Sequence, residues 1–174
     1  MSVSRHLRAI AFLPAMVTLA VPGLLLYITK SAHIGWGLGG AARLAPLALG
    51  ATLIAGGLAL MAWTIGLFAG AGRGTLAPWD PTQRLVVQGP YRHVRNPMIS
   101  GVLGVLLGET ALLGSPPLLA WFGAFVLANA LYLPLVEERG LEERFGDDYR
   151  LYKRNVPRWV PRLTPWSVSR EGAG

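Results

Sequence analysis

No cysteine occurs anywhere in the 174 residues, which excludes disulfides, thiolate nucleophiles and cysteine-based metal sites together. Charge is nearly as scarce: 14% of the residues are charged against 52% hydrophobic, and the mean hydropathy is +0.43. A chain with so little polar surface has the profile of a membrane protein. Carboxylates are rarest, nine against sixteen Lys and Arg, for a formal net charge of +7. The cations flank greasy segments and no recognition motif accompanies them, so the expected partners are membrane lipids, anionic headgroups included, and not nucleic acid. Internal repeats and low-complexity blocks are absent, the second loop lacks a G-x-G-x-x-G pattern, and no metal site is expected.

What the chain has instead is long uncharged runs. Ala9 to Thr29 and Leu44 to Gly72 are each long enough to span a bilayer, for which roughly 20 residues suffice. From Pro97 to Val136 only Glu109 is ionisable, and Gly114-Ser115-Pro116-Pro117 divides that stretch into two pieces of near-spanning length. The expected fold is all-α, a polytopic membrane helix bundle of about four transmembrane helices. A cleavable signal peptide would also account for the first run, since Arg5 and Arg8 precede an apolar core containing Pro22 and Gly23. Three further apolar segments make the protein integral either way.

Orientation follows from Lys and Arg near helix ends. The N-terminus has two, the first loop two (Lys30, Arg43), the second loop four (Arg73, Arg84, Arg92, Arg95), the Ser115 turn none and the tail eight. With four helices, N-terminus, second loop and tail share one side, fourteen cations against two. That side is expected to be cytoplasmic, at a cell's inner membrane. Gly35, Gly37, Gly39, Gly50, Gly56, Gly57, Gly66 and Gly70 are expected to let helices pack closely. His33 and Trp36 fall in the outer loop as interfacial anchors, and Glu109 is expected to be protonated or to reach the outer interface.

The chain divides as a single domain over 1–174: packing helices in 1–72, a cytoplasmic loop in 73–97, a helical hairpin in 98–136 and a cytoplasmic tail in 137–174. In the tail, Leu141, Phe145, Tyr149 and Tyr152 recur at spacings of four, four and three, the period of one face of an amphipathic helix, with Gly146 as a point of interruption. That face is expected either to close over a bound ligand or to dock permanently at the interface.

Two polar clusters sit at apolar boundaries. One is Gly89-Pro90-Tyr91-Arg92-His93-Val94-Arg95-Asn96-Pro97, where Pro97 suits a first helical turn. A snorkelling anchor accounts for its cations, but not for Tyr91 and His93. The other is Glu137-Glu138, past Pro134. Adjacent helical side chains diverge by about 100°, so one carboxylate is expected to face inward and the other an arginine or water. Meeting at one membrane face, the clusters would form a pocket polar at one end and lipid-lined at the other.

These blocks resemble the membrane-embedded isoprenylcysteine carboxyl methyltransferases and their phospholipid methyltransferase relatives. The likeness covers roughly 83–161 and rests on Gly89-Pro90-Tyr91, Arg95-Asn96-Pro97, Glu137-Glu138, Phe145-Gly146-Asp147-Asp148-Tyr149-Arg150-Leu151-Tyr152 and Val156-Pro157-Arg158, in that order. It implies methyl transfer from S-adenosylmethionine to a lipophilic small molecule or lipid. By position, cofactor contacts fall on Gln83, Arg84, Leu85, Val86, Tyr91, Asn96, Pro97, Met98, Ile99 and Glu137. Glu137 would accept from ribose or ammonium, Tyr91 would pack on adenine or methionine, and Arg95 would pair with the cofactor carboxylate or with Glu138. His93 and Arg95 are the catalytic candidates, His93 as the base for an acceptor that must lose a proton.

The family's histidine is Asn96 here, its following tyrosine is Ile99, and the arginine that reads prenylcysteine in eukaryotic members is Leu133. The acceptor is therefore open. A membrane reductase using a nicotinamide cofactor and a non-catalytic scaffold remain alternatives.

Overall fold

The computed structural model describes residues 12–71 and 85–167. Helix α1, residues 12–29, contains a π-wound turn at Met16–Ala20 just ahead of Pro22. A proline inside a helix removes one backbone donor and crowds the carbonyl four residues back, and the wider turn accommodates it without ending the helix. Buried Thr18 donates to the Pro14 carbonyl at 2.8 Å within the same segment. Helix α2 is Leu44–Ala71. Helix α3, Pro97–Leu113, begins on the expected proline and ends at Gly114 (φ 55°), whose N–H returns to the Thr110 carbonyl at 2.9 Å. Helix α4, Pro116–Tyr132, runs on through a second π turn, Leu133–Glu137, which contains Pro134, into α5, Glu138–Asn155.

Three stretches are long and apolar enough to cross a membrane: they lie in Phe12–Gly37, Gly40–Leu67 and Pro116–Asn155. Helix α3 is shorter, 17 residues, or about 26 Å at 1.5 Å per residue, close to the ~30 Å hydrocarbon thickness. Apolar side chains point out of the bundle along α1, α2 and α4, among them Leu24, Leu58 and Leu127, each at least half exposed. The architecture is an all-helical integral membrane bundle, as the apolar runs require.

The tightest contact is α2 against α3. A Cβ on Gly57 would stand 2.5 Å from the Gly101 carbonyl oxygen, one on Gly50 2.7 Å from that of Gly108, and the reverse positions are equally closed. Small residues permit this backbone approach where lipid supplies no hydrophobic drive between helices. The expectation for the glycines holds for only part of the set. Gly37, Gly39, Gly56 and Gly66 would meet nothing within 4 Å, because they lie on faces of loop and helix that no neighbour covers. Beside the seam, Met61, Val102, Val105 and Leu106 form the core, joined by Val17, Trp121, Phe122 and Phe125.

Past Val136 the chain turns polar, and α5 leaves the apolar bundle. Gly146 (φ 53°, ψ −126°) kinks it at the expected position. The kink lets Tyr149, Tyr152 and Val156 bury together, at 1–3% exposure, against Leu85, Val87, Leu141, Phe145 and Trp166. This second core seats the tail over the segment that leads into α3.

Candidate functional site

The segment before α3 is shaped by its backbone. Gly89 takes φ 52° and comes so close to α2 that a Cβ would stand 3.0 Å from Leu67 and 3.3 Å from the Trp63 ring nitrogen. A short 3-10 turn, Gly89–Arg92, follows, with the N–H groups of His93 and Val94 both returning to the Pro90 carbonyl. The turn buries Tyr91 and Val94. The Tyr152 hydroxyl donates to the Tyr91 carbonyl at 2.7 Å, tying this turn to α5.

Tyr91 and Glu137 share one corner of the bundle. Burial raises the Tyr91 phenol above its ordinary value, and the charges of Tyr152 and Glu137 raise it further. Glu137, the first residue past the apolar part of α4, is itself raised, by burial and then by the neighbouring charge of Glu138. Each of these groups is therefore held toward its neutral, proton-bearing form.

The two glutamates diverge as helical geometry demands. Glu138, 3% exposed, is gripped by three cations: Arg95 at 2.9 Å, Arg158 at 2.6 and 2.9 Å, and Lys153 at 3.3 Å. Burial alone would raise its carboxyl, but the Arg158 hydrogen bonds and the charges of Arg95 and Arg158 outweigh that and hold it below the usual range. Lys153 also reaches Glu142 at 2.6 Å. Tyr149 lies beside the Arg95 guanidinium, and burial pushes its phenol up to about 12 despite that cation.

Among the described residues, two donors at this corner have no protein partner. Arg95, 9% exposed, satisfies Glu138 through one terminal nitrogen, while its buried Nε makes no hydrogen bond. The buried hydroxyl of Ser100 makes none either. That is unusual for this chain, since Thr18, Thr29, Thr64 and Thr110 each donate to the carbonyl four residues back at 2.7–2.9 Å. Arg95 immediately precedes the cap residue of α3 and Ser100 is the fourth residue of the helix, a pair of positions that approach each other at helix starts. A buried donor left empty costs about 1–3 kcal/mol, so the two gain most from a polar group brought by a ligand.

The other sequence-derived positions are placed as follows. Asn96 caps α3 without a side-chain capping bond, Pro97 is buried at the first helical position, and Met98 and Ile99 sit half-buried in the same turn. Leu85 packs on the tyrosine cluster and Val86 is half-buried. Gln83 and Arg84 lie outside the described residues. His93 is engaged by the tail: its Nδ1 donates to the Arg162 carbonyl at 2.8 Å, which leaves Nε2 as the acceptor nitrogen. Sequence reasoning assigned no role to Arg158, Lys153 or Ser100. Arg158 stood in the quoted Val156-Pro157-Arg158 block, whereas nothing in the sequence marked Ser100.

A bundle of spanning helices with a polar corner built from the start of one helix and the end of another defines an all-helical integral membrane protein. The chain belongs to the phospholipid methyltransferase family, whose model matches residues 45–148. Among curated relatives, methanethiol S-methyltransferase 2 of Bradyrhizobium diazoefficiens is 41% identical over 76 residues, 42% of this chain and 27% of that protein. An uncharacterized protein of Haemophilus influenzae is 42% identical over 65 residues, 36% of this chain and all of that protein. The chain thus spans about a quarter of the length of the named methyltransferase. No solved structure matches it.

Proposed function

We propose that this protein transfers a methyl group from S-adenosylmethionine to a small lipophilic acceptor at the cytoplasmic membrane face. The observation that carries the proposal is the meeting of Tyr91 and Glu137 in one corner, between the start of α3 and the end of α4. The empty donors of Arg95 and Ser100 beside it fit a cofactor that brings a carboxylate. Positive charge concentrated in the second loop and tail supports a cytoplasmic orientation of this face, where a soluble cofactor is available.

When bound, S-adenosylmethionine supplies a methyl on a sulfonium whose departure as a neutral thioether requires no acid. The protein's part is alignment and exclusion of water, and alignment of a reacting pair can contribute roughly 7–11 kcal/mol. Arg95 Nε and the Ser100 hydroxyl would hold the amino-acid carboxylate, Glu137 would accept from the ribose hydroxyls or the ammonium, and Tyr91 would wall the ring system. Leu85, Val86 and the turn from Asn96 to Ile99 would complete the cradle. His93 Nε2 takes the proton that a thiol or amine acceptor must lose.

The acceptor class follows from Leu133. It is fully buried and stands where the eukaryotic carboxyl methyltransferases hold the arginine that helps recognise prenylcysteine. An acceptor other than prenylcysteine is favoured in its place, and the methanethiol S-methyltransferase of Bradyrhizobium makes a small thiol the first choice, ahead of a lipid amine headgroup. Calorimetry on the detergent-purified protein should show saturable binding of S-adenosylmethionine that Glu137→Ala abolishes without lowering the thermal midpoint. Methyl-labelled cofactor should then pass label to a short alkanethiol. Binding of NADPH with none of S-adenosylmethionine would replace this reading with the reductase, and heat from neither would leave a scaffold.

A further inference from the structure

The described tail ends in an extended strap that is stitched to the loop bearing the site. The Arg95 N–H donates to the Pro157 carbonyl at 2.9 Å, the Arg162 N–H to the His93 carbonyl at 3.0 Å, and the Trp166 N–H to the Arg92 carbonyl at 2.9 Å. Arg92 Nε returns to the Trp166 carbonyl at 2.8 Å, and the Trp166 ring lies 5.8 Å from that of Tyr152. Prolines at 157, 161 and 165 keep the segment out of helix and strand, so it touches the loop only at separated points and arches outward between them.

The arches present apolar side chains to the exterior. Val160 is 75% exposed and Leu163 97%, on a segment otherwise fastened at both ends. From 154 to 167 the chain carries Arg154, Arg158 and Arg162 and no carboxylate. Arg95, the anchor at one end, stands two residues from Pro97, the first residue of α3. At no more than about 3.6 Å per residue, that end of the strap is within roughly 10 Å of the helix start. Headgroup regions occupy about this distance outside the hydrocarbon.

We propose that the strap is a membrane-surface anchor: Val160 and Leu163 insert among the headgroups of an anionic lipid surface, and Arg154 and Arg162 meet its phosphates, while Arg158 stays on Glu138. The occupant is fixed by charge, because a segment with cations alone and outward apolar tips complements anionic lipid, and by depth. It does not depend on the chemistry proposed above. Lipid contact is transmitted to the site through the stitches on Arg92, His93 and Arg95, so surface charge would steady the loop that carries Tyr91.

The absence of cysteine allows a direct test. Leu163→Cys, carrying a bimane label, is reconstituted in vesicles containing brominated lipid, made either of phosphatidylcholine or of equal parts phosphatidylcholine and phosphatidylglycerol. Asp148→Cys, on an exposed position of α5, is the aqueous control. The expected result is quenching of the Leu163 label several-fold above the control in anionic vesicles, and weaker quenching in neutral ones and at high salt. Leu163→Glu should abolish quenching of a Val160→Cys label without lowering the thermal midpoint. A Leu163 label as unquenched as the control would overturn the proposal, and equal quenching in both compositions would overturn its anionic specificity. Efficient Leu163→Cys homodimer cross-linking without quenching would assign the surface to a second copy.

Discussion

Arg95 and Glu138 stand 43 positions apart in the chain, yet a guanidinium nitrogen of one donates to a carboxylate oxygen of the other at 2.9 Å. The contact joins the residue before the α3 cap to the residue that begins α5. It also frees Glu137, on the neighbouring helical direction, to face Tyr91. The site corner depends on this separation of duties between two adjacent glutamates.

Removing the Glu138 carboxylate should therefore be a stability lesion first. Glu138→Ala leaves Arg95 and Arg158 without a counter-charge, and breaking a buried pair costs ~3–5 kcal/mol. Because Lys153 and Arg158 are partly exposed and so screened, the low end is expected. Thermal unfolding in detergent should show a clearly lowered midpoint, with Glu138→Gln intermediate. An unchanged midpoint would remove the cluster from the account of the fold.

Acid should act on the same cluster. The folded carboxyl of Glu138 lies below its ordinary value of 4.5, so its contribution is complete above about that pH and is lost as pH falls through the lowered folded value. Glu137 is raised from 4.5, so its contribution runs the other way and declines as pH rises above 4.5. Midpoints measured across this range should lose their acid limb in Glu138→Gln. Glu137→Gln should raise the upper limb instead.

The helix seam gives a matched pair of substitutions. Gly57→Ala places a methyl 2.5 Å from the Gly101 carbonyl oxygen, a backbone atom that cannot step aside, while Gly56→Ala meets nothing within 4 Å. Overpacking of this kind costs about 1–3 kcal/mol. The first variant should unfold at lower temperature and the second should match the parent or exceed it slightly, since alanine is the better helix former. Equal behaviour would refute the α2–α3 contact.

Ser100→Ala separates binding from stability. Deleting a buried hydroxyl that has no protein partner should leave the thermal midpoint unchanged or raise it. Loss of one hydrogen bond to ligand, about 0.5–1.5 kcal/mol, should weaken S-adenosylmethionine binding roughly 2- to 13-fold. A variant that binds as tightly as the parent would show that Ser100 does not touch the cofactor.

Tyr152→Phe removes the donor at 2.7 Å from the Tyr91 carbonyl while keeping the ring against Trp166. Loss of this hydrogen bond is worth about 0.5–1.5 kcal/mol. Protection of the 89–95 amides from hydrogen exchange should fall, and cofactor affinity with it. Unaltered protection would mean that α5 does not hold the loop.

Much of the site could be read along the chain. Pro97 begins α3 and Gly114 ends it because one lacks a backbone donor and the other takes a left-handed turn, and both effects are local. The divergence of Glu137 and Glu138 follows from helical rotation alone. By contrast, nothing local separates Gly56 from Gly57, although only one touches α3, since that choice rests on how two helices are turned toward each other. The tail face was legible as a period of Leu141, Phe145, Tyr149 and Tyr152, but not the stitching of 157–166 to 92–95, where backbone groups with no sequence signature do the pairing.

Hydrophobic runs and scarce charge determined, without further help, that this chain crosses a membrane, roughly where it does so and that its polar groups gather at helix ends, because the cost of placing charge in hydrocarbon is paid residue by residue. Tertiary structure alone decided which glutamate meets the arginines, which serine hydroxyl stays unpaired and where the tail lies. Those outcomes depend on the relative rotation and depth of separate helices, quantities set by packing between segments that no single segment encodes.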